Sequence, residues 1–203
     1  MAPVGLAIDD TSSENVRLTV GEFVVWSERR SDGARHELVD GRPVEMQAER
    51  NSHALVKAEV WRLLRDAVRA ANLPCTVLPD GVTVAVEDFR ARRPDVTMQC
   101  ESGVDPDALT CDAPLLLVEV ASPSTARVDT TAKLAEYMSL DSIRHYVIID
   151  PDARLAYHHS RASFGGDILT RIVTDGAIEI DPPGISIVLA ACFVEVDLLE
   201  RRG

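Results

Sequence analysis

Aromatic residues are scarce in this chain: four Phe, three Tyr and two Trp in 203 residues. That shortage argues against a stacking platform for nucleic acid, which needs rings interleaved with basic side chains. Positive charge is short as well. Lys and Arg number 21 against 33 Asp and Glu, a formal net charge of −12. So acidic a molecule is not expected to bind nucleic acid over its whole surface, although a local basic groove is compatible with the balance. No apolar run approaches the roughly 18 residues needed to span a membrane, so no membrane association is expected. The opening MAPVGLAIDD lacks the basic and apolar segments of a secretory signal, and a cytoplasmic location is the expectation. Cysteine offers little chemistry. Cys75, Cys100, Cys111 and Cys192 show no metal-ligand spacing, which argues against a zinc site and reads as free, mostly structural thiols.

What is present is an ordinary globular composition, 46% apolar and 27% charged, long enough for one sizeable core. Residues 1–17 read as a loose polar tail and 18–203 as a single domain. Leu18–Trp26 has helical spacing, with Thr19 and Glu22 placed for a capping box. His36–Val39 and Pro43–Met46 flank Asp40-Gly41, a two-residue hairpin signal. Asn51–Ala71 is the longest helix, with Ser52 as its expected cap. Its apolar stripe runs through Leu55, Val56, Val60, Leu63, Leu64, Ala67 and Val68, with Arg62, Arg65 and Arg69 opposite. Cys75–Leu78 and Val82–Val86 read as strands, Arg90–Arg93 as a basic link, and Glu101–Pro114 as an acidic loop. Hairpins are expected at Leu155–His159 with Ile168–Val173, and short strands at Ala177–Ile180 and Ile185–Leu189. The pattern predicts an α/β (α+β) fold, a mixed β-sheet flanked by helices.

The chemistry concentrates in Leu115–Pro151, which reads as strand, helix, strand. The apolar run Leu115–Val118 ends in Glu119, and a buried charge without a partner is costly. Asp95 begins the preceding strand. If the two strands are neighbours, both carboxylates converge, and hard divalent ions such as Mg²⁺ favour that donor type. Either carboxylate alone reads equally well as a strand-end charge. Asp129, Lys133 and Tyr137 are four apart and share a helical face. That face is either an exposed ion pair or the carrier of Lys133 toward Glu119.

Six motifs in order carry a resemblance: HELVDGRPVEM, an Asn-Ser-His helix start, RRPDV, VEVASPST, DTTAKLAEYM and HYVIIDP. Over roughly residues 18–195 the chain resembles the Uma2 (DUF820) family of restriction-endonuclease-like proteins, in the PD-(D/E)XK nuclease superfamily. The resemblance implies a Mg²⁺- or Mn²⁺-dependent endonuclease acting on DNA. It implies metal ligation by Asp95 and Glu119, with Glu37 as a further carboxylate, although Glu37 reads equally as a brace of the hairpin. The superfamily's lysine is missing two residues after Glu119, where Ala121 stands. In this family its role falls to the following helix, which implies Lys133 as the catalytic lysine. His53 matches a recurrent family residue and is a candidate accessory residue, although a helix-start or packing role explains it better; Asp129 and Tyr137, on the face of Lys133, are further accessory candidates. Arg92 and Arg93 precede Asp95 and are candidate phosphate contacts, although solubility explains them equally. Ser122 and Ser124 read as turn and cap residues rather than nucleophiles. A homodimer is a candidate assembly, because many such nucleases cut two strands with two copies. Two rival readings stand: a catalytically inactive binding or regulatory module on the same fold, and a metal hydrolase acting on a smaller phosphate ester.

Overall fold

The computed structural model describes residues 17–100, 103–121 and 129–201, omitting the side chains of residues 129 and 130. The tail assigned to 1–17 lies outside these residues except for Arg17, whose Nε donates to the Asp40 carbonyl at 3.0 Å. Helix α1 (Val20–Glu28) begins with the expected capping box, Thr19 and Glu22 each bonding the other's backbone N–H. Strands β1 (His36–Val39) and β2 (Arg42–Glu45) form the expected hairpin. Asp40 and Gly41 both take positive φ, 51° and 80°, as its two-residue turn requires.

Helix α2 (Asn51–Ala70) is capped by Arg50 with no side-chain hydrogen bond, so the expected Ser52 cap is corrected: Ser52 already lies inside the first turn. The first helical bond runs from the Ala54 N–H to the Arg50 carbonyl. The helix's buried stripe is Val56, Lys57, Val60, Leu64 and Val68, so one lysine interrupts an apolar face.

The chain continues through β3 (Cys75–Pro79), β4 (Thr83–Glu87), β5 (Arg90–Arg92), β6 (Val96–Cys100) and β7 (Thr110–Cys111). Thus the basic link contains a strand, and the acidic loop contains a short one. Then follow β8 (Pro114–Val120), α3 (Asp129–Met138), β9 (His145–Asp150), β10 (Leu155–Ser160) and β11 (Leu169–Val173). A small hairpin, β12 (Ala177–Ile180) with β13 (Ile185–Val188), precedes a 3₁₀ turn and the helix α4 (Val194–Glu200), which the sequence pattern did not single out.

The strands make a six-stranded sheet in the order β11-β10-β9-β8-β6-β3 and a five-stranded sheet in the order β2-β1-β5-β4-β7. The parallel pair β8 and β9, joined through α3, is the expected strand-helix-strand unit. Side chains of β8 alternate. Leu116, Val118 and Val120 join the core against α2, while Leu117 joins a second cluster with Tyr137, Tyr146 and Ile148. Glu119 therefore falls on the α3 side. It is the next-to-last residue of the strand, not a residue at its end.

Two of the four cysteines depart from the free-thiol expectation. Antiparallel register sets Cys75 of β3 opposite Cys100 of β6, and they form a disulfide. Pairing across strands leaves no trace in sequence spacing. Cys111 and Cys192 are free and buried, as expected.

Candidate active site

Two neighbouring strands bring the carboxylates together. Strands β6 and β8 pair antiparallel with Val96 opposite Val118, so Asp95 and Glu119 sit one step further on at the same level. The Asp95 N–H donates to the Val118 carbonyl at 3.0 Å, which extends the ladder to this point. The Val120 N–H donates to Asp95 Oδ2 at 2.7 Å. Asp95 is only 6% exposed, and Glu119 keeps 15% of its side chain accessible. Both line a cleft of about 910 Å³ with Glu37, His53, Lys57 and Lys133.

Helix α3 supplies two donors to Glu119 from one face. Lys133 Nζ lies 3.1 Å from Glu119 Oε1, and the Tyr137 hydroxyl donates to the same oxygen at 2.7 Å. Tyr137 is fully buried, edge-on to Tyr146 at 5.0 Å between ring centroids. Asp129 begins α3, but its side chain lies outside the described residues, as do Ser122 and Ser124.

Glu37 of β1 reaches the same lysine, its Oε1 lying 3.4 Å from Lys133 Nζ. Its Oε2 is 2.8 Å from Arg92 Nη1, and the Arg93 N–H donates to Oε1 at 3.2 Å. Arg92 meets Glu136 on its other edge, at 2.6 Å and 2.9 Å. The guanidinium read as a phosphate contact is thus buried and bonded on both edges by carboxylates. Arg93 donates to Ser27 Oγ at 2.8 Å and Thr83 Oγ1 at 3.3 Å.

His53, at the start of α2, sits between two acceptors. Nδ1 is 2.8 Å from Glu49, and Nε2 faces the Val120 carbonyl. Sequence reasoning missed the next residue on that face. Lys57 pairs with Asp95 Oδ1 at 3.2 Å, Glu49 Oε2 at 2.7 Å, and Asp80. Asp80 is in turn held by Arg35. Two signals mark Lys57: it breaks an apolar stripe, and it is one of only two lysines in the chain. The other is Lys133.

Burial dominates the electrostatics at the centre. Burial pushes the Glu119 carboxyl up to about 7, and the negative charges of Asp95 and Glu37 add to this against Lys133 and Tyr137. Burial also raises Asp95, outweighing Lys57 and the Val120 N–H. Burial would depress the Lys57 ammonium, but Asp95, Asp80 and Glu49 outweigh it and hold it above the usual lysine range. Burial would raise Glu37, but Lys133 and Arg92 win and hold it low. Two carboxylates at one level of the sheet are the donor type that a hard divalent ion takes. Among the described residues no three His, Cys, Asp or Glu side chains form a complete ligand set. The protein's share would be one or two carboxylates, with water and substrate oxygens completing the shell, as Mg²⁺ commonly accepts.

Comparison with known proteins bears on the family and the fold. A crystal structure of "a putative nuclease belonging to DUF820" from Anabaena variabilis has the same fold, with a TM-score of 0.68 and 14% identity. The match covers 87% of this chain and 98% of that one. An uncharacterized protein of Synechocystis sp., slr1290, is 25% identical over 134 residues, 66% of this chain and 68% of its own. No helix among the described residues is long and apolar enough to cross a membrane. Residues 20–190 match the Uma2 family, described as "Putative restriction endonuclease", and the chain belongs to that family.

Proposed function

We propose that this protein is a metal-dependent endonuclease that hydrolyses DNA phosphodiester bonds. The observation that carries the reading is the meeting of Asp95, Glu119 and Lys133 in one cleft of an Uma2-family chain. Asp95 and Glu119 would hold a Mg²⁺ or Mn²⁺ ion. Bound there, the ion makes a water more acidic and offsets charge developing on the phosphodiester. Lys133 offers its ammonium to that negative charge. Tyr137 fixes Glu119 on the α3 side, and Glu37, held by Arg92, keeps Lys133 at the centre. His53 braces the Val120 carbonyl beside the carboxylates. Water adds to phosphorus and the bond to O3′ breaks, which leaves a 5′-phosphate and a 3′-hydroxyl. Two copies acting on the two strands belong to the same proposal.

The reading is tested by the chemistry of the ends. Plasmid cut in Mn²⁺ should re-ligate without kinase treatment, and EDTA should stop the cutting. Cleavage that persists in EDTA, or ends that need a kinase, contradicts it. A non-catalytic module on this fold is the second reading. It is favoured by the existing pairing of Glu119 with Lys133 and of Asp95 with Lys57. It requires that calorimetry find no Mn²⁺ site that disappears in Asp95→Asn.

A further inference from the structure

Only two of the 21 basic residues are lysines, and both are buried in the same cleft. Lys133 comes from α3 and Lys57 from α2. Position 57 faces the core beside Val56, Val60 and Leu64. An ammonium there is costly to desolvate and is tolerated only with good partners. Lys57 has three, each from a different segment: Glu49 before α2, Asp80 at the β3–β4 turn, and Asp95. A compact ammonium with three donors suits three separated carboxylates, whereas a planar guanidinium fork suits one or two in its plane.

The effect on Asp95 is geometric. Oδ2 accepts the Val120 N–H at 2.7 Å and Oδ1 lies 3.2 Å from Lys57. Two donors from different elements fix the plane of the carboxylate. Such partners behind a metal ligand orient it, and their loss typically weakens metal binding about 10- to 100-fold.

We propose that Lys57 is a positioning residue of the ion site, holding Asp95 from α2 as Lys133 meets Glu119 from α3. This rests on the metal-dependent reading above. Mn²⁺ titration by electron paramagnetic resonance tests it. Lys57→Met should weaken Mn²⁺ binding about 10- to 100-fold. Val60→Ala, a destabilising change on the same helix face, should leave Mn²⁺ affinity unchanged, which a merely structural role for Lys57 would not predict. Should Lys57→Met fail to fold, Lys57→Gln keeps two N–H donors but no charge and should still weaken binding about tenfold. Mn²⁺ bound as tightly as in the wild type, or more tightly, by the folded Lys57 variant overturns the inference alone. A wild type with no Mn²⁺ site sensitive to Glu119→Gln overturns the underlying reading, and this inference with it.

Discussion

Glu119 stands inside a strand whose neighbours are apolar, and its carboxyl is raised from 4.5 to about 7, chiefly by burial. Between these values the folded protein holds a proton that the unfolded chain has released. Stability therefore falls as pH rises through that window, by about 3 kcal/mol in total. Glu119→Gln removes the term. The variant should exceed the wild type in urea midpoint at pH 8, and the gap should close toward pH 4.5. A gap that widens on acidification would contradict the assignment. The residues themselves were unevenly legible in the sequence. Asp95, Glu119 and Lys133 stood out because a charge after an apolar run and a regular four-residue spacing are local signals. Lys57 was missed because its partners come from three distant segments, although a lysine on an apolar stripe is itself a signal. Arg92 was misread for the same reason: nothing near it in sequence announces Glu37 and Glu136.

At the scale of elements, α3 does more than connect β8 to β9. One face carries Lys133 and Tyr137 to Glu119, and Glu136 holds Arg92, which holds Glu37. Removing Arg92 takes from each of two partly buried carboxylates its nearest cation, leaving Glu37 with Lys133 at 3.4 Å and Glu136 with Arg90 at 3.5 Å. Arg92→Met should lose about 3–5 kcal/mol in urea unfolding. A loss under about 1 kcal/mol, the value of an exposed pair, would show that the arginine is not structural. Helix α1 offers the contrast. Thr19→Ala removes its cap and should cost about 1 kcal/mol, with Mn²⁺ affinity unchanged. Patterns of period two and 3.6 identified most elements in advance. They failed for β5 and β7, which are three and two residues long and too short to show a period.

For the whole molecule, the pH dependence of stability has a second source, outside the cleft lining. His145 Nδ1 and His158 Nε2 are 2.9 Å apart on paired strands β9 and β10. Burial, with the neighbouring His145, lowers His158 from 6.5 to about 4. Between these values the unfolded chain binds a proton that the folded protein refuses, so stability falls as pH drops. Glu119 and His158 thus slope in opposite directions over nearly the same range and offset each other in the wild type. Acidification from pH 7 to 5 should lower the urea midpoint of Glu119→Gln more steeply than that of the wild type. Equal slopes would contradict the offset. The fold class was legible because the strand-helix-strand unit is contiguous. The division of the longer strands between a six-stranded and a five-stranded sheet and the Cys75–Cys100 bond were not, since both depend on pairing between distant strands.

The central claim is that Asp95 and Glu119 hold an ion for phosphodiester hydrolysis assisted by Lys133. Nicking of supercoiled plasmid in Mn²⁺ tests it most directly. The wild type should nick the plasmid, while Glu119→Gln and Lys133→Ala should each lose activity by about 100-fold or more. Equal nicking by all three proteins would contradict the account.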